Sequence, residues 1–295
     1  TAYEIRRRDW VQTCALPISK KISFLFALLF ITTIAVAQKK EKIKGSKIVT
    51  VSVKEIPAFE NIEINDNFEV FLVKADKTSL EIEADDNLHE IINYEVVAGT
   101  LRVSSLREAT GAKKFALRIN YTSDLKLITA KNESSVHALA DLELENITVK
   151  NYDNSRAFLN VKANYFALVL NDKAEAEINV KAENTSLELS KNAELKALVT
   201  SPELKLDMYQ KSQATIEGNC NNAKLRLDNS SLLIAKKLVI ATLDLTMEGY
   251  AKCYVNVTTN LTLSASGKTE VELFGESKIQ INKFINNATL SKKEK

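Results

Sequence analysis

Broken every 19 residues, positions 165–221 read YFALVLNDKAEAEINVKAE, NTSLELSKNAELKALVTSP and ELKLDMYQKSQATIEGNCN, and the three lines share one pattern. With a small residue as origin, at Ala174, Ala193, Ser212, Ser231, Ala251 and Thr269, the steps are 19, 19, 19, 20 and 18 residues. Leucines stand four and six residues before most origins, as in Leu168 and Leu170, Leu187 and Leu189, or Leu225 and Leu227. After the origin, apolar residues recur at every second place: Ala176, Ile178 and Val180; Leu195, Ala197 and Val199; Leu233, Ala235 and then Lys237. Alternation with period two sends successive side chains to opposite faces of a strand. Each repeat therefore holds two short strands, joined by a polar corner such as Asn171-Asp172-Lys173 or Gln210-Lys211. A second corner is expected at Asn164, Asn184, Asn221-Asn222 and Asn260, residue types that tolerate turn conformations.

One such repeat has too few apolar side chains to bury them alone. Stacked at about 4.8 Å, equivalent residues sit above one another and form a continuous column. The reading is an all-β chain, a right-handed parallel β-helix or β-solenoid with rungs of about 19 residues. Leucine-rich repeats have similar periods, but the fixed Asn or Cys of their strand consensus is missing. Ser134 or Ser135, and Ser155, extend the series backwards, giving eight repeats from Leu125 onwards. Between 48 and 124 the strands continue without the rule: 48–53, 59–64, 68–73, 80–83, 91–97, 101–104 and 115–120, with a turn of helix near 88–92. The region 48–285 is thus expected to be a single solenoid domain, irregular over 48–124 and regular over 125–275, with a polar tail at 286–295.

Ahead of it, Lys20-Lys21, the apolar run from Ile22 to Thr33 and Ala35-Val36-Ala37 form a signal peptide over 20–37, with cleavage before Gln38. Residues 38–47 read as a flexible mature N-terminus. Residues 1–19, with Arg6-Arg7-Arg8 and the single Trp10, differ in composition from everything that follows and read as a non-native leader. The apolar run is short for a membrane span of about 20 residues, so no transmembrane segment is expected after cleavage. An exported protein follows, in the periplasm, on the outer-membrane surface or outside the cell. Cleavage removes five of 40 basic and two of 38 acidic residues and leaves a net charge of −1. Nucleic acid, which asks for a basic face, is not an expected partner.

The order Phe59-Glu60-Asn61-Ile62-Glu63-Ile64, Phe68-Glu69-Val70-Phe71-Leu72, Leu80-Glu81-Ile82-Glu83-Ala84, Gly99-Thr100-Leu101-Arg102-Val103 and Tyr121-Thr122-Ser123-Asp124-Leu125 resembles the family called "putative auto-transporter adhesin, head GIN domain". The resemblance runs from about Val51 to Gly275. It departs from the family in having Asn132-Glu133-Ser134-Ser135 where Gly-Ser is common. It implies a signal peptide, a solenoid and surface adhesion, and it carries no catalytic residue over.

The residues themselves give little chemistry. His89 and His137 are isolated from each other and from metal-ligand spacing, so neither a metal nor another cofactor is expected. Cys220 and Cys253 read as two separate thiols rather than a pair. Glu175, Glu177, Glu188, Glu194 and Glu217 alternate with lysines on outward positions, as in a solvated, cross-paired ladder. Among the aromatics, Tyr152, Phe158, Tyr165 and Phe166 cluster mid-chain, while Tyr209, Tyr250 and Tyr254 fall at or beside corners and are the candidate ligand contacts. The expected function is a non-enzymatic binding or structural module of the envelope, adhesin-like, whose partner is an envelope or host polysaccharide or protein. The alternative is a carbohydrate-active enzyme, a lyase or hydrolase, on the same scaffold. The open edge of the last strands is a route to self-association, with Phe284, Ile285 and Leu290 as a cap.

Overall fold

The computed structural model describes residues 40–138 and 140–294. The signal peptide and the leader at 1–19 lie outside the described residues. The rest is a β-solenoid of about nine turns with rungs about 19 residues apart.

Its regular part consists of long parallel strands: Arg156–Leu170, Glu175–Leu189, Glu194–Met208, Gln213–Leu227, Leu232–Met247 and Lys252–Ala265. Each pairs in register with the next, Ile178 with Ala197 and Leu187 with Leu206, for example. The inward positions form buried columns such as Leu170, Leu189, Met208, Leu227, Met247 and Ala265. Burying one such aliphatic side chain contributes about 1.5–3 kcal/mol, and neighbouring rungs supply both walls. Only one of the two expected corners is a turn. Near Asn184 and Asn222 the strand bends without breaking, so one 15-residue strand contributes to both faces of the solenoid.

At the true corner the origin residue is the key. Ser134, Ser155, Ala174, Ala193, Ser212, Ser231, Ala251 and Thr269 are all fully buried. In most rungs the origin N–H closes the turn, Ala174 onto Asn171 O at 3.1 Å and Ser155 onto Tyr152 O at 3.1 Å. Two residues earlier the backbone is left-handed, at Asp153, Asp172, Lys191, Gln210 and Asn229, with φ of 60 to 64°. That geometry aims each carbonyl along the axis. Lys173 N–H donates to Asp153 O, Asn192 to Asp172 O and Lys211 to Lys191 O, at 2.8 to 2.9 Å. Left-handed backbone costs a non-glycine residue about 1–2 kcal/mol. The stacked bonds offset it, and Gly249 and Gly267 avoid it.

The register of the repeats slips chiefly around strand Leu232–Met247. At Gly218 (φ 119°) a Cβ would stand 2.0 Å from Val199 O. In the next strand one extra residue is inserted, so that Thr215 faces Ile234 but Glu217 faces Lys237. Lys237, which the periodicity placed inward, is consequently exposed, and Leu238 and Ile240 take the buried places.

The N-terminal region contains the expected strands but stacks them out of chain order. Asn61–Ile64 and Glu69–Lys74 form the first rung in sequence, yet not the first in the stack. On one side it pairs with Thr100–Ser105 and Phe115–Tyr121, and on the other with Leu127–Ala130 and Ser135–Ala138. Beyond these rungs the parallel stack ends in antiparallel strands. Ser79–Asp85 pairs with Phe115–Tyr121, Val49–Glu55 pairs with Ser79–Asp85, and Ile92–Val97 pairs with Thr100–Ser105. A 3-10 helix, Asp86–Ile91, joins two of them and buries Leu88 and Ile91.

Asp85 ties this cap together. Its side chain is fully buried and accepts backbone N–H bonds from Lys47 (2.8 Å), Lys113 (3.0 Å) and Lys114 (3.0 Å). Burial alone would raise its pKa; the N–H bonds outweigh burial and hold it below the usual carboxylate range. The segment at 38–47, expected to be loose, is therefore ordered from residue 40, and Lys42–Lys44 pairs in parallel with Glu108–Thr110.

At the other end, Phe284, Ile285 and Leu290 do not fold over the last rung as a cap. Phe284 and Leu290 continue the rungs, paired with Ala265 and Val271, and Phe284 and Ile285 are exposed.

Candidate functional site

The outward residues of one face carry the only ordered aromatic cluster on the surface of the described residues. Strand register aligns Phe71, His137, Phe158, Glu177, Lys196, Thr215, Ile234, Tyr254 and Glu272 in one column. Strands about 4.8 Å apart hold planar side chains at stacking distance. The Phe71 and His137 rings lie 5.3 Å apart at 28°, and His137 and Phe158 4.8 Å apart at 11°. Both faces of His137 are thus covered, while Phe71 and Phe158 each keep one face off the stack. The column offers an apolar ridge three rungs long.

His137 is positioned by Ser135, whose Oγ lies 2.9 Å from its Nε2. Burial between the phenyl rings lowers its pKa, against the opposing pull of Glu69. Beside the ridge runs an open groove of about 620 Å³, floored by regular strand and lined by Phe158, Asn160, Asn179, Lys196, Leu198 and Glu217 among others. Leu198 is 47% exposed on its far side. A second depression of about 260 Å³ lies on the other flank, between Arg156, Glu175, Glu194 and Gln213.

Charges along this face are neutralised rung by rung. Lys196 meets Glu177 at 2.8 Å, Arg156 meets Glu175 at 3.3 Å and Lys237 meets Glu217 at 2.9 Å. The hydrogen bond to Glu177 raises the Lys196 pKa. The wall so built is polar with little net field. Of the carboxylates on this face, Glu175, Glu177 and Glu217 each meet a lysine or arginine, while Glu194 lies beside Glu175 of the preceding rung. The outward ladder expected from the sequence is therefore present, as contacts between successive rungs.

Tyr209, Tyr250 and Tyr254 are not brought together. Tyr209 begins a turn and lies 5.9 Å beneath the Arg226 guanidinium; burial, followed by Asp207, raises its pKa. Tyr250, 61% exposed, occupies a turn one rung beyond Asn229 and lies 5.6 Å from the Lys268 ammonium. Tyr254 shares the column of the aromatic ridge but stands between Ile234 and Glu272, five rungs from Phe158. His89 is occupied with Thr50, its Nε2 2.9 Å from Thr50 Oγ1. Both cysteines are free and buried; burial pushes Cys220 up to about 11 and raises Cys253 further. Among the described residues, no group of three or more His, Cys, Asp and Glu could hold a metal ion.

The ridge itself escaped sequence reasoning, although half of it was within reach. Three residues after the origins Ser134 and Ser155 stand His137 and Phe158. Phe71 has no such origin, because its rung lies before the periodic part.

The family model described as "putative auto-transporter adhesin, head GIN domain" matches residues 58–277. The chain belongs to that family. Its fold recurs in the crystal structure of a "putative adhesin" from Parabacteroides merdae, with a TM-score of 0.64, 18% identity, and 85% of this chain and 99% of the other covered. A "putative adhesin" from Parabacteroides distasonis gives a TM-score of 0.65 at 19% identity, over 85% and 100% of the two chains. A "putative lipid binding protein" from the same species gives 0.59 at 12%, over 85% and 99%. No curated protein sequence matches the chain. At 12–19% identity these structures show the shared fold. Among the described residues no helix is long and apolar enough to cross a membrane.

Proposed function

We propose that the chain is an exported, non-enzymatic binding module, adhesin-like, whose contact surface is the face bearing the Phe71, His137 and Phe158 ridge and the groove beside it. The ridge carries the proposal. An apolar strip of rings on a largely charge-paired wall is what a partner would bury, and aromatic residues supply much of the energy in such contacts. Asn160 and Asn179, in successive rungs of the groove, add hydrogen-bonding groups alongside. The family's name supports adhesion, and the export signal read at 20–37 supports an envelope or extracellular location. The partner is an envelope or host polysaccharide or protein. Tyr209, Tyr250 and Tyr254 are candidate contacts outside the ridge and act separately, since they lie on different rungs.

The test is binding of the purified protein to arrays of glycans, envelope polysaccharides and surface proteins, with product release monitored in the same samples. Saturable binding without turnover, weakened at least tenfold by Phe158→Ser and unchanged by Tyr250→Ser, is the expected result. Binding that ignores Phe158 but needs Tyr209 or Tyr250 moves the site to the turns. Depolymerisation of a polysaccharide overturns the proposal.

A further inference from the structure

The two ends of the stack differ in how they treat their open edges. At the C-terminal end, strand Lys278–Phe284 is interrupted by a register slip after Ile281, and Lys278, Lys283 and Lys292 stand on the edge strands. Bulges and lysines are the usual means of keeping an edge from pairing. At the N-terminal end, Ile92–Val97 presents Asn93 and Glu95. Strand Val49–Glu55 has no bulge and keeps its charges, Lys54 and Glu55, at its C-terminal end. Among the described residues it pairs with Ser79–Asp85 along one side only, and it is regular over seven residues. It holds Val51 at 57% and Val53 at 64% exposure, next to Ile48 at 61%.

The phase of its hydrogen bonds is fixed. Asp86 N–H donates to Ile48 O at 2.8 Å, within the ladder that opposes Val49 to Asp85. In an antiparallel pair the bonded residues alternate. Ile48, Thr50, Ser52 and Lys54 therefore bond inward, while Val49, Val51, Val53 and Glu55 turn their N–H and C=O groups to the open side.

We infer that Val49–Glu55 is the interface of a homodimer, pairing antiparallel with the same strand of a second copy about a two-fold axis at Ser52. This register uses all seven residues. It sets Val51 against Val53, Val49 against Glu55 and Thr50 against Lys54, so no like charges oppose each other. Every bond it forms uses a group the monomer leaves open, because the paired residues are the odd-numbered ones on both strands. The sequence V-T-V-S-V-K-E is close to self-complementary in this sense. Registers head to tail with the lysine-bearing C-terminal strands lack that match.

The geometry has a consequence for binding. Val51 and Val53 stand opposite Glu83 and Glu81, on the same outward face as the ridge. A two-fold axis perpendicular to a continuous sheet keeps that face on one side in both copies, so the dimer presents two ridges in one direction. Two linked weak contacts reach avidities about 10²–10⁴ times the single affinity.

A seven-residue edge is small beside a standard interface of roughly 1,600 Å², so sedimentation equilibrium of the exported protein should span roughly 10 µM to 1 mM. The expected result is a monomer–dimer equilibrium within that range. Val53→Pro removes only an open-side N–H; it should leave the circular dichroism intact and the protein monomeric. Ser52→Cys supplies the positive test: opposed residues at a non-hydrogen-bonded pair have Cα atoms about 4.5 Å apart, within disulfide reach. Mild oxidation should give a covalent dimer on a non-reducing gel. A wild-type protein that stays monomeric throughout, or a dimer that survives Val53→Pro without Ser52→Cys crosslinking, overturns the inference. Neither outcome bears on whether the ridge binds a ligand.

Discussion

Between residues 156 and 265 each rung rests on a near copy of itself, whereas between 41 and 121 no rung has a copy and almost every contact is particular to its place. In the repeated part a residue is chosen by its column. Leucines, small origin residues and left-handed turn residues recur because the rung above imposes the same geometry. Stability in such stacks is close to a sum of nearest-neighbour terms. In the cap a residue is chosen by its partners: Asp85 by three N–H groups from two separate segments, Phe68 by the Phe115 ring stacked 4.5 Å away. Repetition makes a fold tolerant of change at any one rung; particularity makes a few residues decisive.

The contrast breaks first at Gly218, whose positive φ the equivalent Val180 and Val199 do not share. Gly218→Ala would drive a methyl group to 2.0 Å from the Val199 carbonyl at a φ of 119°. A loss on the order of 3 kcal/mol is expected, from steric overlap and backbone strain together, read as a fall in the urea midpoint. A comparison with Ala197→Gly, also in a regular strand, separates this from the generic cost of changing a rung; that substitution should cost roughly 1 kcal/mol.

The cap is tested by Asp85→Asn, which keeps shape but turns an acceptor into a partial donor facing three N–H groups. Hydrogen exchange at Lys47, Lys113 and Lys114 should accelerate on the order of ten- to a hundredfold, while amides of the strands from 156 to 265 keep their protection. Equal acceleration in both regions would show that cap and repeats open as one unit. The pH dependence has a definite sign. The folded pKa of Asp85 is lowered, so its contribution is present above the ordinary carboxylate pKa, about 3.9. It is lost only as the pH falls through that value towards the lower folded one, and acid should therefore loosen the cap only below about pH 4.

The smallest effect sharpens the comparison from the other side. Lys191→Gly at a left-handed turn relieves strain in the folded state but frees the unfolded chain, and the stacked N–H from Lys211 is unaffected. A change within about 1 kcal/mol, towards stability, is expected in thermal melts. The same substitution at Asn229 should gain less, because asparagine already tolerates this conformation.

The sequence disclosed the two regions unequally for the same reason. Period two and the 19-residue step are nearest-neighbour signals, so the rungs, their turns and the buried origin at Ala174 or Ser212 could be read directly. Corners at Asn184 and Asn222 were misread as turns, because an asparagine at a strand bend and one in a turn look alike without coordinates. The bulge that exposes Lys237 showed in the sequence only as the 20-residue step from Ser231 to Ala251, which does not say where in the rung the extra residue sits. In the cap the strands were visible one by one, but their order was not: no local pattern states that 61–74 lies between 100–121 and 127–138. The ridge suffered from this directly, with Phe71 on the far side of that junction from Phe158.

That out-of-order rung also sets a timetable. In the regular part a residue meets its neighbour 19 positions later, as Ile178 meets Ala197, and rungs can be added as the chain lengthens. Phe71 must wait for Arg118, 47 positions on, and for His137, 66 positions on. At a synthesis rate of roughly 5–20 residues per second, strand Glu69–Lys74 lacks both final neighbours for about 2–9 s and the second of them for about 3–13 s. The longer loops make this junction slower to close than any later step. The rung at 61–74 thus has both neighbours only once Ser135–Ala138 is made, just ahead of the regular strands that begin at Arg156.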